Sequence, residues 1–370
     1  MAIDRRQALV GGAICLVIGA MRPAWAAVPG STDTVYASAC RLADGRHAVA
    51  FLDAAGNVFR RIPVASRAHD IACSPPGGLA VLFARQPGEF ALAFAPDGRR
   101  EPVLFAPPEN RCFFGHGAFS PDGRLLYATE NDIDGGKGLL GVYDATASFR
   151  RIGELETGGV GPHEVILLAD RRTLAVANGG YETLPATGRT PVDLGGMKPS
   201  LVFLDLATGT IIARHEPQAG QRLLSIRHLA EDARGRVWFG GQWEGGADET
   251  PEVIGWARAG DRLNTFTARG ASGSALRGYI GSVAASRNGR LIAASAPRAG
   301  RVVVIDAEAM AVSRILELPD ACGLAPNGAE GIVVSTGFGR LVDSGTDGAA
   351  TTLAEHAGLA FDNHLRRVSG

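Results

Sequence analysis

The chain has 370 residues, with 37 Lys and Arg against 38 Asp and Glu and 46% hydrophobic content. That is enough apolar material for one large repeat domain or two ordinary ones. A net charge of −1 and a pI of about 6.7 exclude the basic footprint of a nucleic-acid binder.

The N-terminus reads as a targeting segment. Asp4-Arg5-Arg6-Gln7-Ala8-Leu9 carries a twin-arginine pair, although the hydroxyl residue that usually precedes it is missing. The apolar stretch from Ala8 to Met21 is short for a bilayer span, and Ala24-Trp25-Ala26 forms a cleavage site. The pattern predicts a cleaved twin-arginine signal peptide over residues 1–26 and a single mature domain over 27–370 in the periplasm. An ordinary secretory signal is the alternative. Without residues 1–26 the net charge is −3, so no strong pull on an anionic partner is implied. Cys15 leaves with the signal. Cys40, Cys73, Cys112 and Cys322 remain, with no C-x-x-C spacing, and read as small buried residues.

From residue 34 onward, short apolar strands alternate with Gly, Asn, Asp and Pro turns. No long stretch has helical period. A four-strand unit recurs every 35–55 residues or so, which predicts an all-β, seven-bladed β-propeller. The predicted blades are 34–64 with 357–368, then 68–107, 112–156, 160–216, 223–268, 278–318 and 320–355. The first blade is assigned from an internal match. HAVAFLDAAGNVFRRIPVA (47–65) aligns with GLLGVYDATASFRRIGELE (138–156), which forms third and fourth strands. The N-terminal blade then lacks an innermost strand, and AGLAFDNHLRRV (357–368) is predicted to supply it, removing an open edge. Two β-sandwich domains are a weaker alternative, since no linker divides the chain.

Histidines occupy matching points of successive units. His69 and His116, and His116 and His163, are 47 residues apart; His163 and His228 are 65 apart. Each opens an inner strand, so all four are expected at one mouth of the central channel. Ser282, Cys322 and Ala357 or Gly358 take the equivalent places in the other blades. Several imidazoles converging there could ligate a transition metal, iron or copper ahead of zinc, and Cys322 could add a thiolate. Asp70 and Glu164, which directly follow two of the histidines, are candidate supporting carboxylates. The predicted polar surround is Glu130, Asn131, Asn178, Arg227, Gln242 and Trp243, from loops expected on the same face. Arg227 suits an anionic group and Trp243 a stacked ligand. The long segment from Asn178 to Ser200 is a candidate functional loop. The bends at Ser120-Pro121-Asp122-Gly123, Asp232-Ala233-Arg234-Gly235 and Arg287-Asn288-Gly289 read as structural turns on the far face. The sequence has no G-x-S-x-G, H-E-x-x-H or C-x-x-C-H motif.

Several motifs together resemble a bacterial family of twin-arginine-exported proteins of unassigned function. They are Gly-His-Gly-Ala-Phe-Ser (115–120), Thr-Glu-Asn (129–131), Gly-Val-Tyr-Asp (141–144), Gly-Pro-His-Glu (161–164), Ala-Asn-Gly-Gly (177–180), Ser-Ile-Arg-His-Leu (225–229) and Gly-Gln-Trp-Glu-Gly (241–245). The resemblance spans almost the whole chain. It implies a periplasmic seven-bladed propeller and a link to imelysin-like, iron-uptake proteins. It carries over no catalytic residue. The reading that follows is a binding or accessory protein in iron or copper handling, with a periplasmic protein partner, no nucleic acid and no membrane span after signal cleavage. Its metal ligands are His116, His163 and His228, with His69 as a fourth. A metal-assisted hydrolase or lactonase, and a metal-free interaction platform, are the alternatives.

Overall fold

The computed structural model describes residues 34–183, 188, 190–268, 270–345 and 350–368. The predicted signal peptide, and part of the segment between Asn178 and Ser200, lie outside the described residues. The chain is a seven-bladed β-propeller of antiparallel sheets.

Blade 1 takes β1 (Thr34–Leu42), β2 (His47–Asp53) and β3 (Val58–Val64) from the N-terminal end. Blade 2 is β4 (Ala68–Cys73), β5 (Ala80–Ala84), β6 (Ala91–Phe94) and β7 (Val103–Phe105). Blade 3 is β8 (Arg111–Phe119), β9 (Leu125–Asp132), β10 (Lys137–Asp144) and β11 (Arg150–Glu156). Blade 4 is β12 (Pro162–Leu167), β13 (Thr173–Asn178), β14 (Ser200–Asp205) and β15 (Ile211–His215). Blade 5 is β16 (Leu224–Glu231), β17 (Val237–Trp243), β18 (Ile254–Ala257) and β19 (Asn264–Thr265). Blade 6 is β20 (Ser282–Ala285), β21 (Leu291–Ala296), β22 (Arg301–Asp306) and β23 (Ala311–Glu317). Blade 7 is β24 (Ala321–Asn327), β25 (Gly331–Thr336), β26 (Arg340–Asp343) and β27 (Thr351–Glu355). β28 (Leu359–Phe361) and β29 (Arg366–Arg367) return to pair with β1, so the C-terminal segment is the innermost strand of blade 1. The predicted blade order and closure are both present.

Burial follows position in the blade. Middle strands are covered on both faces by neighbouring blades, so TLAVAN (β13), SLVFLD (β14) and LIAASA (β21) are buried at every residue. This is why they read as continuous apolar runs rather than alternating ones. Outer strands are covered on one side at most, and RRIGELE (β11) alternates between exposed and half-buried residues. The core is divided among the blade interfaces. One cluster joins blades 1 and 2, where Phe51 and Phe94 meet edge-to-face at 5.2 Å between ring centroids. Another joins blades 2 and 3 around Phe83, Phe113 and Tyr143. Truncating a buried phenylalanine such as Phe51 to alanine costs about 3–5 kcal/mol.

The far-face turns hold their register through side chains. Ser120 Oγ donates to Asp122 Oδ1 at 2.6 Å and accepts from the Leu125 amide at 2.9 Å. Ser286 repeats the arrangement with Asn288 and Leu291. Gly123 and Gly289 sit at φ +73° and +68°, where a β-carbon would be strained. These turns are structural, as the sequence indicates. All four described cysteines are free. Burial pushes Cys40 up to about 11 and Cys73 and Cys112 up to about 12, so they remain neutral thiols. Among the described residues no helix is long and apolar enough to cross a membrane.

Candidate metal centre

The inner strands of blades 2 to 5 carry a β-bulge where they approach the channel. The pairing register shifts between Ala68 and Ile71, between Phe113 and Gly117, between Pro162 and Glu164, and between Ile226 and His228. His69, His116, His163 and His228 lie in these shifts or at their edge. In blade 1 the equivalent break is residues 362–365, between β28 and β29, and it contains His364. A bulge leaves a residue unpaired and re-aims its side chain. Here the re-aimed side chains are imidazoles, and they meet on the axis.

Five histidines close a ring. Successive centroid separations from His69 through His116, His163, His228 and His364 back to His69 are 4.9, 4.8, 4.9, 4.8 and 4.6 Å. All five are buried. The four predicted histidines are all present, and His364 joins them. Sequence alignment placed Ala357 or Gly358 at this point. That register is wrong because the closing strand is split by the four-residue break, which a continuous-strand alignment does not allow for. The signal available was a histidine within the predicted closing strand. Ser282 takes the blade 6 position, with its Oγ 3.5 Å from His364 Nδ1. Cys322 does not add a ligand: its thiol donates to the Asp320 carbonyl at 3.0 Å, and burial raises its pKa.

Three ring members have one nitrogen fixed by an acceptor. His69 Nδ1 lies 3.1 Å from Asp362 Oδ1, His163 Nδ1 3.0 Å from Gln86 Oε1, and His228 Nδ1 3.3 Å from Glu164 Oε2. Each acceptor selects the tautomer with the proton on Nδ1, which leaves the Nε2 lone pair available. His163 Nε2 and His116 Nδ1 are buried with no hydrogen-bond partner. His116 Nε2 and His364 Nε2 are 3.2 Å apart. Two nitrogens on one tetrahedral ion at zinc-like bond lengths are about 3.3 Å apart, so this pair already has the bite of a chelate. Burial, first of all, pulls the imidazoles of His116, His163, His228 and His364 below their ordinary range. They are therefore neutral near pH 7, as ligands must be.

The supporting carboxylates are Asp70 and Glu164, as expected, but neither serves its sequence neighbour. Adjacent residues of a strand face opposite sides. Asp70 takes a bidentate pair from Arg366 at 2.7 and 2.8 Å, and Arg366 also reaches Glu164 at 2.7 Å. His116 Nε2 is 3.8 Å from Asp70 and 3.9 Å from Glu164. Burial disfavours the charge on Asp70, yet Arg366 outweighs it and holds the carboxyl low. For Glu164 burial wins and the pKa rises. Three sets of groups could each hold a metal ion: His69, His116 and His163; His116, His228 and His364; and Asp70, His116 and Glu164. The members of each lie within 4.8 Å of one another.

Of the predicted polar surround, Arg227 lines the mouth beside His69, His163 and His228. The other five do not line it. Glu130 and Asn131 were expected in a loop but belong to β9, which runs on to Asp132. Glu130 turns to Tyr143 (2.5 Å) and Arg151 (2.9 Å), away from the imidazoles. Asn131 is buried in the ladder opposite Cys112 and Gly138. Asn178 ends β13 and donates to the Thr157 carbonyl (3.0 Å) and Ser200 (3.1 Å). Gln242 and Trp243 end β17, and Trp243 donates to the Gly246 carbonyl. The mouth is completed by residues the sequence did not single out: Arg85, Gln86, Tyr279 and Asn363.

Fold and site together define a seven-bladed propeller with a buried polyhistidine centre. The chain belongs to the family described as "Protein of unknown function (DUF1513)", whose profile matches residues 62–368. No protein of curated function matches it in sequence. Among solved structures it is similar to Kuenenia stuttgartiensis hydrazine synthase, at 13% identity and a TM-score of 0.56. That match covers 86% of this chain and 94% of the other, and at that identity it shows the fold alone.

Proposed function

We propose that this chain is a periplasmic propeller, exported by its twin-arginine segment, that binds one transition-metal ion in its channel. The observation that carries the reading is the closed ring of five buried imidazoles, with buried nitrogens at His116 and His163 that no protein group satisfies. An unsatisfied buried polar atom is costly, and so is a cluster of desolvated imidazoles with no partner. A cation offsets both. His116 is shared by both imidazole triplets and would be the pivotal ligand, with His163, His228, His364 and His69 around it. Neutral imidazoles beside buried carboxylates suit copper or iron. The resemblance stated above favours a role in metal uptake, beside a periplasmic protein partner. Among the described residues, the exposed large apolar side chains sit mostly on outer strands (Leu104, Ile152, Ile211, Ile212, Ile315) rather than around the mouth. The interaction-platform reading therefore lacks its expected surface.

The test is metal content by mass spectrometry on mature protein, beside a variant with His116, His163 and His228 replaced by alanine. Near-stoichiometric copper or iron in the parent, absent from the variant, is expected. A parent that stays metal-free after loading with iron, copper and zinc would overturn the reading.

A further inference from the structure

The five ring imidazoles are between 0% and 5% exposed, and the mouth above them is packed shut. Arg85, Gln86, Arg227, Tyr279 and Asn363 fill it beside His69, His163 and His228 and leave no passage for an ion. A metal bound at the ring still needs an entry path. Some part of the wall must therefore move, and the attachments show which part. Half of the mouth depends on one segment, residues 359–367. Asn363 belongs to it and donates to the Tyr279 hydroxyl at 3.0 Å. Asp362 accepts from Arg85 at 3.3 Å and lies 3.1 Å from His69 Nδ1. His364 supplies one of the imidazoles. The remaining mouth residues are held from elsewhere, Gln86 by His163 and Arg227 by Glu244. Displacing the one segment would clear Asn363 from the mouth, break these bonds to Arg85, His69 and Tyr279, and open the ring between His69 and His228.

The segment is also attached unlike the other inner strands. Each of the other six continues through a turn into the strand it pairs with. β28 and β29 instead pair with β1, from the other end of the described residues. Their ladder covers three residues, breaks over 362–365 and resumes for two. At its entry Gly358 sits at φ +75°, a conformationally permissive point on which the segment can turn. Leu359, Phe361 and Leu365 are buried in one cluster with blades 1 and 7, so the segment is seated at rest and leaves only in local openings. We infer that residues 359–367 are the gate of the metal centre. The segment swings out as one piece on Gly358 to admit the ion, and His364, on binding it, draws the strand back into blade 1. This rests on the metal reading above. It makes loading and release slow and ties both to one strand.

The experiment pins the segment in place. Cys40 faces Phe361 in the ladder, and the Asp362 amide donates to the Ala39 carbonyl at 2.8 Å. The 40–361 pair is therefore a non-hydrogen-bonded one, with the close approach that a disulfide needs. The Phe361→Cys variant is compared cross-linked and reduced, with the reductant removed before cobalt(II) is added. Visible absorption follows cobalt uptake and, after addition of EDTA, its release. A gate acts equally in both directions, so cross-linking should slow uptake and release by the same factor, about thirtyfold or more, with the affinity unchanged. Equal rates in the two forms, or slowing in one direction only, overturn this inference and leave the metal reading standing. Hydrogen exchange on unaltered protein, apo and copper-loaded, decides the matter where the variant folds poorly or takes up no cobalt. In the apoprotein the amides of 359–367 should exchange as one unit, ahead of β4, β12 and β16, and copper should protect them. Exchange only together with those strands overturns the gate. A parent that takes up neither metal overturns both readings.

Discussion

His116 belongs to both imidazole triplets and to the carboxylate set, so its loss cannot be made good by a neighbour. We predict that His116→Ala abolishes stoichiometric copper loading, whereas His69→Ala, which leaves one triplet whole, only weakens it; equal losses would deny the pivot. The proton on His163 is placed by Gln86. Removing such an outer acceptor typically costs 10–100-fold in metal affinity. Gln86→Leu should show a loss in that range by chelator competition, with the fold unchanged by circular dichroism. Acid acts at the same scale. His116, His163, His228 and His364 have folded-state pKa values below the unfolded value of 6.5, chiefly through burial. The unfolded chain therefore takes up protons first as the pH falls. Stability is fully present above about pH 6.5 and is lost progressively below it. Urea midpoints of apoprotein should fall from pH 7 to pH 5; a flat profile would mean the imidazoles are hydrated.

At the level of elements, the closing strand carries more than its length suggests. β28 and β29 form only a short ladder with β1, yet the segment also places Asp362, Asn363, His364 and Arg366. Ser38 Oγ holds the intervening break by donating to the His364 carbonyl at 2.6 Å. Arg366 ties this strand to blades 2 and 4 through Asp70 and Glu164. Removing one partner of such a buried group leaves uncompensated charge, at about 3–5 kcal/mol. Arg366→Ala should lose that much in chemical denaturation. A loss under about 1 kcal/mol would show that water reaches the two carboxylates.

For the whole molecule, the ring of imidazoles spans five blades, counting blade 1 through its C-terminal strand. An ion bound there links the two ends of the chain through blades 2 to 5. Ligand that binds only the folded state stabilises it by about 2.7 kcal/mol at a free concentration a hundredfold above Kd. Metal should therefore raise the midpoint of unfolding of the entire propeller in a single transition. Deleting residues 357–370 breaks the ring closure and removes His364, leaving only the His69, His116 and His163 triplet, and should weaken that gain. A metal-induced rise unchanged by the deletion would show that the closing strand takes no part in holding the ion.

Strand periodicity, turn chemistry and the Phe-Arg-Arg-Ile match were enough to determine the blades and the C-terminal closure, because each depends on local pattern and repetition. The positions of His69, His116, His163 and His228 were legible for the same reason: equivalent residues of a repeat occupy equivalent places. What the histidines contact was decided only in three dimensions. Asp70 and Glu164 serve His116 and His228 rather than the histidines they follow, because consecutive strand residues face opposite ways. His364 entered through a break in the closing strand that no repeat template contained. Glu130 and Asn178, polar and well placed in sequence, were taken up by ladder and blade-edge contacts. Arg85 and Gln86 follow β5 in blade 2, Tyr279 precedes β20 and Asn363 lies between β28 and β29, so closing the ring is what brings these three segments to the mouth.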